Sequence, residues 1–120
     1  MSKKRSDINY LRDILDAIAS IEEYLYGFDY DAFLSDKRTR DAVIRNLEII
    51  GEAIKKLSPA IRSRYPEVPW RSVAGLRDVL IHDYFGVDYE DIWEIVSTDL
   101  KELKQQIQAI ISKEASPDDP

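Results

Sequence analysis

The stretch INYLRDILDAIASIEEYL, residues 8–25, decides the fold class of this 120-residue chain. Its apolar side chains recur every three or four positions, the spacing that places them on one face of an α-helix. Ser6 precedes the stretch as a candidate N-cap, and Gly27 follows it where a helix commonly ends. We therefore predict a long amphipathic first helix whose apolar face carries Ile8, Leu11, Ile14, Leu15, Ile18, Ile21 and Leu25.

The same periodicity returns after an aromatic linker, FDYDAFLSD at 28–36. Ser35 or Asp36 is placed to cap a second helix, and Ser58 followed by Pro59 both ends that helix and begins a short one over AIRSRY. The apolar face of the second helix is predicted to carry Val43, Leu47, Ile50, Ala53, Ile54 and Leu57.

Two further helices complete the chain. One is predicted from Trp70 to about Phe85, with Gly86 at its end, and the other from an N-cap at Asp88 to about Ser112. No alternating apolar segment flanked by hairpin turn residues predicts a strand. The expected fold is all-α: one helical domain over residues 1–112, an antiparallel up-and-down bundle of four to five helices, followed by a polar, flexible tail at 113–120.

Composition excludes several classes of protein. The chain has no cysteine, which removes disulfides and thiolate metal sites, and no apolar run approaches the roughly 20 residues that span a bilayer. The N-terminal MSKKRSDINY lacks the apolar core of a secretory signal. We expect a cytoplasmic protein without a membrane partner.

Charge is distributed unevenly along the chain. The net charge is −6, but residues 37–77 hold ten Lys/Arg and four Asp/Glu, a local balance of +6 that leaves −12 for the rest. One surface can therefore attract phosphate while the whole molecule stays acidic. Solvated helix faces of either sign would give the same pattern.

The chain's only histidine lies in RDVLIHDYFG, residues 77–86. On a regular helix Arg77 and Tyr84 share one stripe, whereas His82 is about 140° from Arg77. Either the helix distorts near its end, or a site that uses both residues is assembled from two chains. Asp78 is four residues before His82 and thus on its face, where it could orient the ring or favour its protonated form.

Arginine and histidine together suit phosphodiester chemistry. Imidazole moves a proton near neutral pH, arginine stabilises charge on phosphate oxygens, and RNA supplies its own 2′-hydroxyl as nucleophile. A two-fold dimer would provide two copies of His82 and of Arg77. A structural role for the histidine, as a cap or surface contact, stays open. So does the role of Asn46 on the second helix, which either braces Arg77 or cross-links helices.

The chain resembles the HepT-like toxins of the HEPN superfamily. Arg77, His82 and Tyr84 match the family motif R-x4-H-x-Y, and Asp78 matches the polar residue that commonly follows the motif arginine. RNLEIIGEAIKKL at 45–57, VPWRSVAGLRDVLIHDYFGVD at 68–88 and the following DIWEIV extend the likeness over most of residues 5–112.

The resemblance implies an HEPN-like bundle that forms a two-fold homodimer with the motif helices meeting in a cleft. It further implies a metal-independent endoribonuclease with Arg77 and His82 as the catalytic pair and no cofactor. The partner would be an MNT-type nucleotidyltransferase antitoxin, which neutralises the toxin by transferring AMP to Tyr84. The implied substrate is RNA, and no DNA partner is expected.

Two other hypotheses come from different classes of function. The chain could be a noncatalytic substrate-binding subunit of a nucleotidyltransferase complex, which its acidic overall balance mildly favours. It could also be an inert helical scaffold, in which substitution of His82 or Tyr84 has no consequence once the fold survives.

Overall fold

The computed structural model describes residues 6–82 and 87–115, apart from the side chains of residues 81 and 82. All regular structure in this part is helical and no strand occurs in it, which confirms the all-α prediction. The elements are α1 (Asp7–Tyr24), α2 (Tyr30–Ser35), α3 (Lys37–Lys56), α4 (Pro59–Arg64), α5 (Trp70–His82), α6 (Tyr89–Glu94), a π-helical segment (Ile95–Asp99) and α7 (Leu100–Glu114).

Local capping chemistry sets the helix starts. The side chains of Ser6 and Asp88 accept backbone N–H groups of α1 and α6, as predicted. Of the two candidates before α3, Asp36 is the cap. Gly27 has a φ of +77°, a conformation that glycine adopts without a steric penalty, and it redirects the chain after α1.

The linker at 28–36 is a helix rather than a plain connection. Asp29 caps α2, and Phe33 is fully buried with its ring centroid 5.3 Å from that of Trp93.

The first helix is joined to the others by two polar ties. Asp7 accepts hydrogen bonds from the backbone and hydroxyl of Ser58, at the end of α3, and Lys104 of α7 binds Glu22. Both ties show α1 running antiparallel to its neighbours α3 and α7.

The core lies between α1, α3 and α7. Its fully or nearly fully buried members include Leu11, Ile14, Ile18 and Ile21 of α1, Leu47, Ile50 and Ile54 of α3, and Leu103, Ile107 and Ile110 of α7. Helix α5 packs mainly on α3 and adds its buried Trp70 and Leu80 to the same core. No helix in the described part is long and apolar enough to cross a bilayer.

The last predicted helix differs from the structure in two ways. It is interrupted by the π-helical segment, and it continues through Glu114, two residues beyond the expected end. Glu114 is held there by Arg64 and by the hydroxyl of Tyr65, so the expected tail begins later than residue 113. Residues 116–120, the rest of that tail, lie outside the described residues.

Candidate active site on helix α5

A glycine lets α5 approach α3 closely at the motif arginine. A Cβ atom placed on Gly51 would lie 2.5 Å from the Cβ of Arg77 and 3.3 Å from the carbonyl oxygen of Val73. Real Cβ atoms do not come so close, so only glycine fits here. Gly51 therefore sets how deeply the backbone of Arg77 sits against α3.

Arg77, Asp78 and Lys55 form one charged cluster across these two helices. Asp78 Oδ1 accepts from Lys55 Nζ at 2.6 Å and from an Arg77 terminal nitrogen at 3.2 Å. The hydrogen bond from Lys55, followed by the charge of Lys55 and the bond from Arg77, holds the pKa of Asp78 below its usual value despite partial desolvation. The carboxylate is thus ionised at neutral pH and fixes the direction of the guanidinium.

The guanidinium of Arg77 is only partly satisfied by these contacts. Its side chain is 27% exposed, and its Nε is buried without a hydrogen-bond partner in the part of the chain that the structure describes. Any donor that an incoming anion can reach is therefore on a terminal nitrogen of the guanidinium and not on the buried Nε.

His82 belongs to the same helix, which stays α-helical from Trp70 through His82. A distorted helix was one of the two ways to bring Arg77 and His82 to one site. The backbone between them shows no such distortion. The angular separation of about 140° stands. The His82 side chain and the whole of Tyr84 and Gly86 lie outside the described residues.

The face of α5 opposite α3 has an unusual composition. Ser72, Gly75, Val79 and His82 follow one another at spacings of three, four and three, which is the seam pattern of two packed helices. Val79 is 55% exposed there, and a Cβ on Gly75 would meet nothing within 4 Å. By helical geometry His82 lies on this open seam, away from the side that packs on α3.

The hydrogen bond described for the Asn46 side chain is to a residue of its own helix. Its Nδ2 donates to the carbonyl oxygen of Ala42, one turn earlier in α3, at 2.9 Å. This contact neither braces Arg77 nor links two helices, so the support predicted for Asn46 is not among the interactions described. The residue that does support the motif is Lys55, whose only signal in the sequence was its place in the basic segment.

Trp70 and Trp93 are packing residues. Trp70 is buried and donates from Nε1 to the carbonyl oxygen of Tyr65, and Trp93 packs on the rings of Phe33 and Tyr30. Among the described residues no group of three or more His, Cys, Asp or Glu side chains is placed to hold a metal ion.

Comparison with known proteins places this arrangement in a family. The family model described as Ribonuclease HepT-like matches residues 14–110, which include Arg77, His82 and Tyr84. No solved structure gives a significant match to the chain.

Individual relatives cover nearly the whole chain. The probable ribonuclease HepT of Thermococcus cleftensis is 47% identical over 107 residues, 89% of this chain and 97% of that protein. A candidate RNase of Methanocaldococcus jannaschii is 47% identical over 105 residues, 84% of this chain and 87% of its own length. A second from the same organism is 44% identical over 108 residues, 90% of this chain and 93% of its own length. The chain thus belongs to the HepT-like ribonuclease family.

Proposed function

We propose that this protein is the toxin of a type VII toxin–antitoxin pair, a dimeric endoribonuclease that cleaves RNA without a metal ion. The observation that carries the proposal is the position of the two motif residues on α5. Arg77 is fixed beside Asp78 against α3, whereas His82 follows on the opposite, open face of an unbroken helix. A second copy packed on that open face would bring two copies of His82 together.

Such a dimer supplies every protein group that the reaction needs. The 2′-hydroxyl of the substrate attacks the adjacent phosphorus as one neutral imidazole takes its proton, forming the bond from phosphorus to O2′. The bond from phosphorus to O5′ breaks, and the second, protonated imidazole protonates the leaving oxygen. The products are a 2′,3′-cyclic phosphate and a free 5′-hydroxyl. Arg77 stabilises the charge that develops on the nonbridging phosphate oxygens.

Control by a nucleotidyltransferase fits the same site. The Tyr84 hydroxyl would attack the α-phosphorus of ATP on an MNT-type antitoxin and release its proton to solvent, with pyrophosphate leaving, so that AMP is joined to the tyrosine. Tyr84 is two residues after His82, so the adduct adds bulk and a negative phosphodiester next to the site. Both effects oppose binding of RNA phosphates.

The test begins with the purified chain, RNA and EDTA. Wild type is expected to cleave RNA and leave cyclic phosphate ends. His82→Ala and Arg77→Ala are each expected to lower the rate at least about 100-fold, because a general acid–base group or a charge-stabilising group typically contributes a factor of that size. Lys101→Ala, an exposed cation on α7, is the matched control and should retain full rate.

Expression in cells separates toxin activity from the alternatives. Wild type should arrest growth unless the nucleotidyltransferase is present, and the coexpressed chain should carry added mass in units of one adenylate on Tyr84. Equal toxicity of wild type and His82→Ala would reject the proposal. Intact RNA together with a changed substrate choice of the partner enzyme would instead identify a noncatalytic subunit.

A further inference from the structure

A second feature of the α5 surface is a groove of about 550 Å³ on the flank that carries Asp78. It lies between α4, the end of α3 and the first half of α5. Its charged lining consists of three cations, Lys55, Arg62 and Arg71, and one carboxylate, Asp78. The groove is therefore positively charged, although the chain as a whole is acidic.

Two of these cations are not neutralised by any residue that the structure describes. Lys55 binds Asp78, but Arg62 and Arg71 have no ion-pair partner within residues 6–82 and 87–115. The Nε of Arg62 is buried and has no hydrogen-bond partner in the same part of the chain. Packing thus holds the stem of Arg62 in place, while no carboxylate compensates its charge. Uncompensated guanidinium groups along a groove favour an anionic ligand.

The groove borders the motif arginine through a shared carboxylate. Asp78 lines the groove, and its Oδ1 accepts from both Lys55 and Arg77. Asp78 therefore links the groove to the motif arginine, so a strand with one phosphate at Arg77 would pass next to the groove.

We propose that this groove, lined by Lys55, Arg62 and Arg71, binds the backbone phosphates of single-stranded RNA next to the bond that is cleaved. The inference rests on the proposed function and adds the binding residues that it lacks. A single strand is favoured because attack by the 2′-hydroxyl needs a backbone free to place O2′ in line with O5′, which an A-form duplex prevents. Such contacts position the strand without reading its sequence.

The first measurement is binding of a single-stranded RNA oligonucleotide by fluorescence anisotropy at several salt concentrations. His82→Ala serves as the parent protein because it leaves the oligonucleotide intact. For single strands log K falls with log salt by about 0.7 for each neutralised phosphate. Adding Arg62→Gln and Arg71→Gln should reduce that slope by about 1.4, whereas Arg62→Lys and Arg71→Lys should preserve most of it.

The matched control removes two cations elsewhere. Arg38 lies in the first turn of α3, about 25 Å along the helix from Lys55, and Lys101 is exposed on α7. Arg38→Gln with Lys101→Gln changes net charge by the same amount and should leave the slope unchanged. An equal fall in slope in both double variants would mean that only net charge matters, and would overturn the groove assignment.

Cleavage kinetics separate this inference from the proposed function. In a chain that keeps His82, the Arg62→Gln and Arg71→Gln pair should raise KM for RNA and leave kcat nearly unchanged. If wild type cleaves and this pair changes neither KM nor the salt slope, the groove assignment is wrong while the ribonuclease stands. If wild type does not cleave but the slope changes as expected, the groove binds RNA and the proposed activity is wrong.

Discussion

Glu114 shows how a single residue can make the stability of this molecule depend on pH. It accepts a hydrogen bond from the Tyr65 hydroxyl at 2.6 Å and pairs with Arg64, so it connects the end of α7 to the end of α4. The hydrogen bond from Tyr65, and then the one from Arg64, lowers the pKa of Glu114 below its usual value. The folded state therefore binds a proton at this site less readily than the unfolded state does.

The sign of the effect follows from that depressed pKa. The stabilisation is complete above the ordinary glutamate pKa of about 4.3 and is lost as the pH falls through the lower folded-state pKa. We expect Glu114→Gln to unfold at a lower urea concentration than wild type at pH 6, and the gap to close towards pH 3. Equilibrium denaturation at both pH values measures it.

A matched control for this prediction is Glu22→Gln. Glu22 forms a salt bridge with Lys104, and their side chains are 47% and 38% exposed, respectively. Such surface ion pairs contribute little to stability. Its denaturation midpoint should stay close to that of wild type at pH 6. A gap for Glu114→Gln that is the same at pH 3 and pH 6 would show that packing, not the carboxylate charge, accounts for the loss.

The sequence predicted individual residues best where their chemistry is local. The caps Ser6, Asp36 and Asp88 each bond to a backbone N–H two or three residues ahead, so the sequence already contains both partners. Lys55 and Asp78 are 23 residues apart, and their contact exists only once α3 and α5 have packed. Side-chain clusters of this kind cannot be read from spacing along one helix.

At the scale of elements, the packing of α5 on α3 depends on Gly51. Gly51→Ala would force two helix backbones apart near Arg77, because the added Cβ meets a Cβ and a backbone carbonyl, not a flexible side-chain end. Overpacking costs about 1–3 kcal/mol, against which alanine gains about 1 kcal/mol of helix propensity over glycine. We expect a net destabilisation of up to about 2 kcal/mol in urea denaturation.

Gly75→Ala is the control for helix propensity. A Cβ at Gly75 meets nothing within 4 Å in the described part of the chain, so at concentrations where the chain is monomeric this variant should gain about 1 kcal/mol. Opposite signs at the two glycines are the expected result. Equal stabilisation by both substitutions would show that α3 and α5 are not in close contact at Arg77.

The elements that the sequence did not predict are the short α2 and the π-helical segment. Six residues are too few for periodicity to distinguish a helix from a linker, and burial of Phe33 stabilises α2 only in the folded chain. The π segment left no signal in the sequence, because Ile92, Ile95, Val96 and Leu100 keep the apolar spacing of a regular α-helix.

For the molecule as a whole, the fold of one protomer followed from helical periodicity, but the proposed active site does not lie within one protomer. Helix α5 contributes Arg77 to the side that packs on α3 and His82 to the side that faces away from it. No rotation of a straight helix brings both to one phosphate. A second copy on the seam of Ser72, Gly75, Val79 and His82 would supply the second imidazole that the proposed reaction uses, and dimerisation stays a prediction.

Val79→Asp tests that prediction directly. Val79 is 55% exposed in the protomer, so its replacement should change monomer stability by no more than about 0.5 kcal/mol. At a two-fold seam, however, it would place two like charges opposite each other without partners, which costs several kcal/mol. Sedimentation equilibrium should then give 13.9 kDa for the variant and twice that mass for wild type, and the variant should no longer cleave RNA.

The control is Leu34→Asp, at a 41% exposed apolar position on α2, which should remain dimeric and active. A Val79→Asp protein that stays dimeric and cleaves RNA would exclude the α5 seam as the place where the two halves of the site meet.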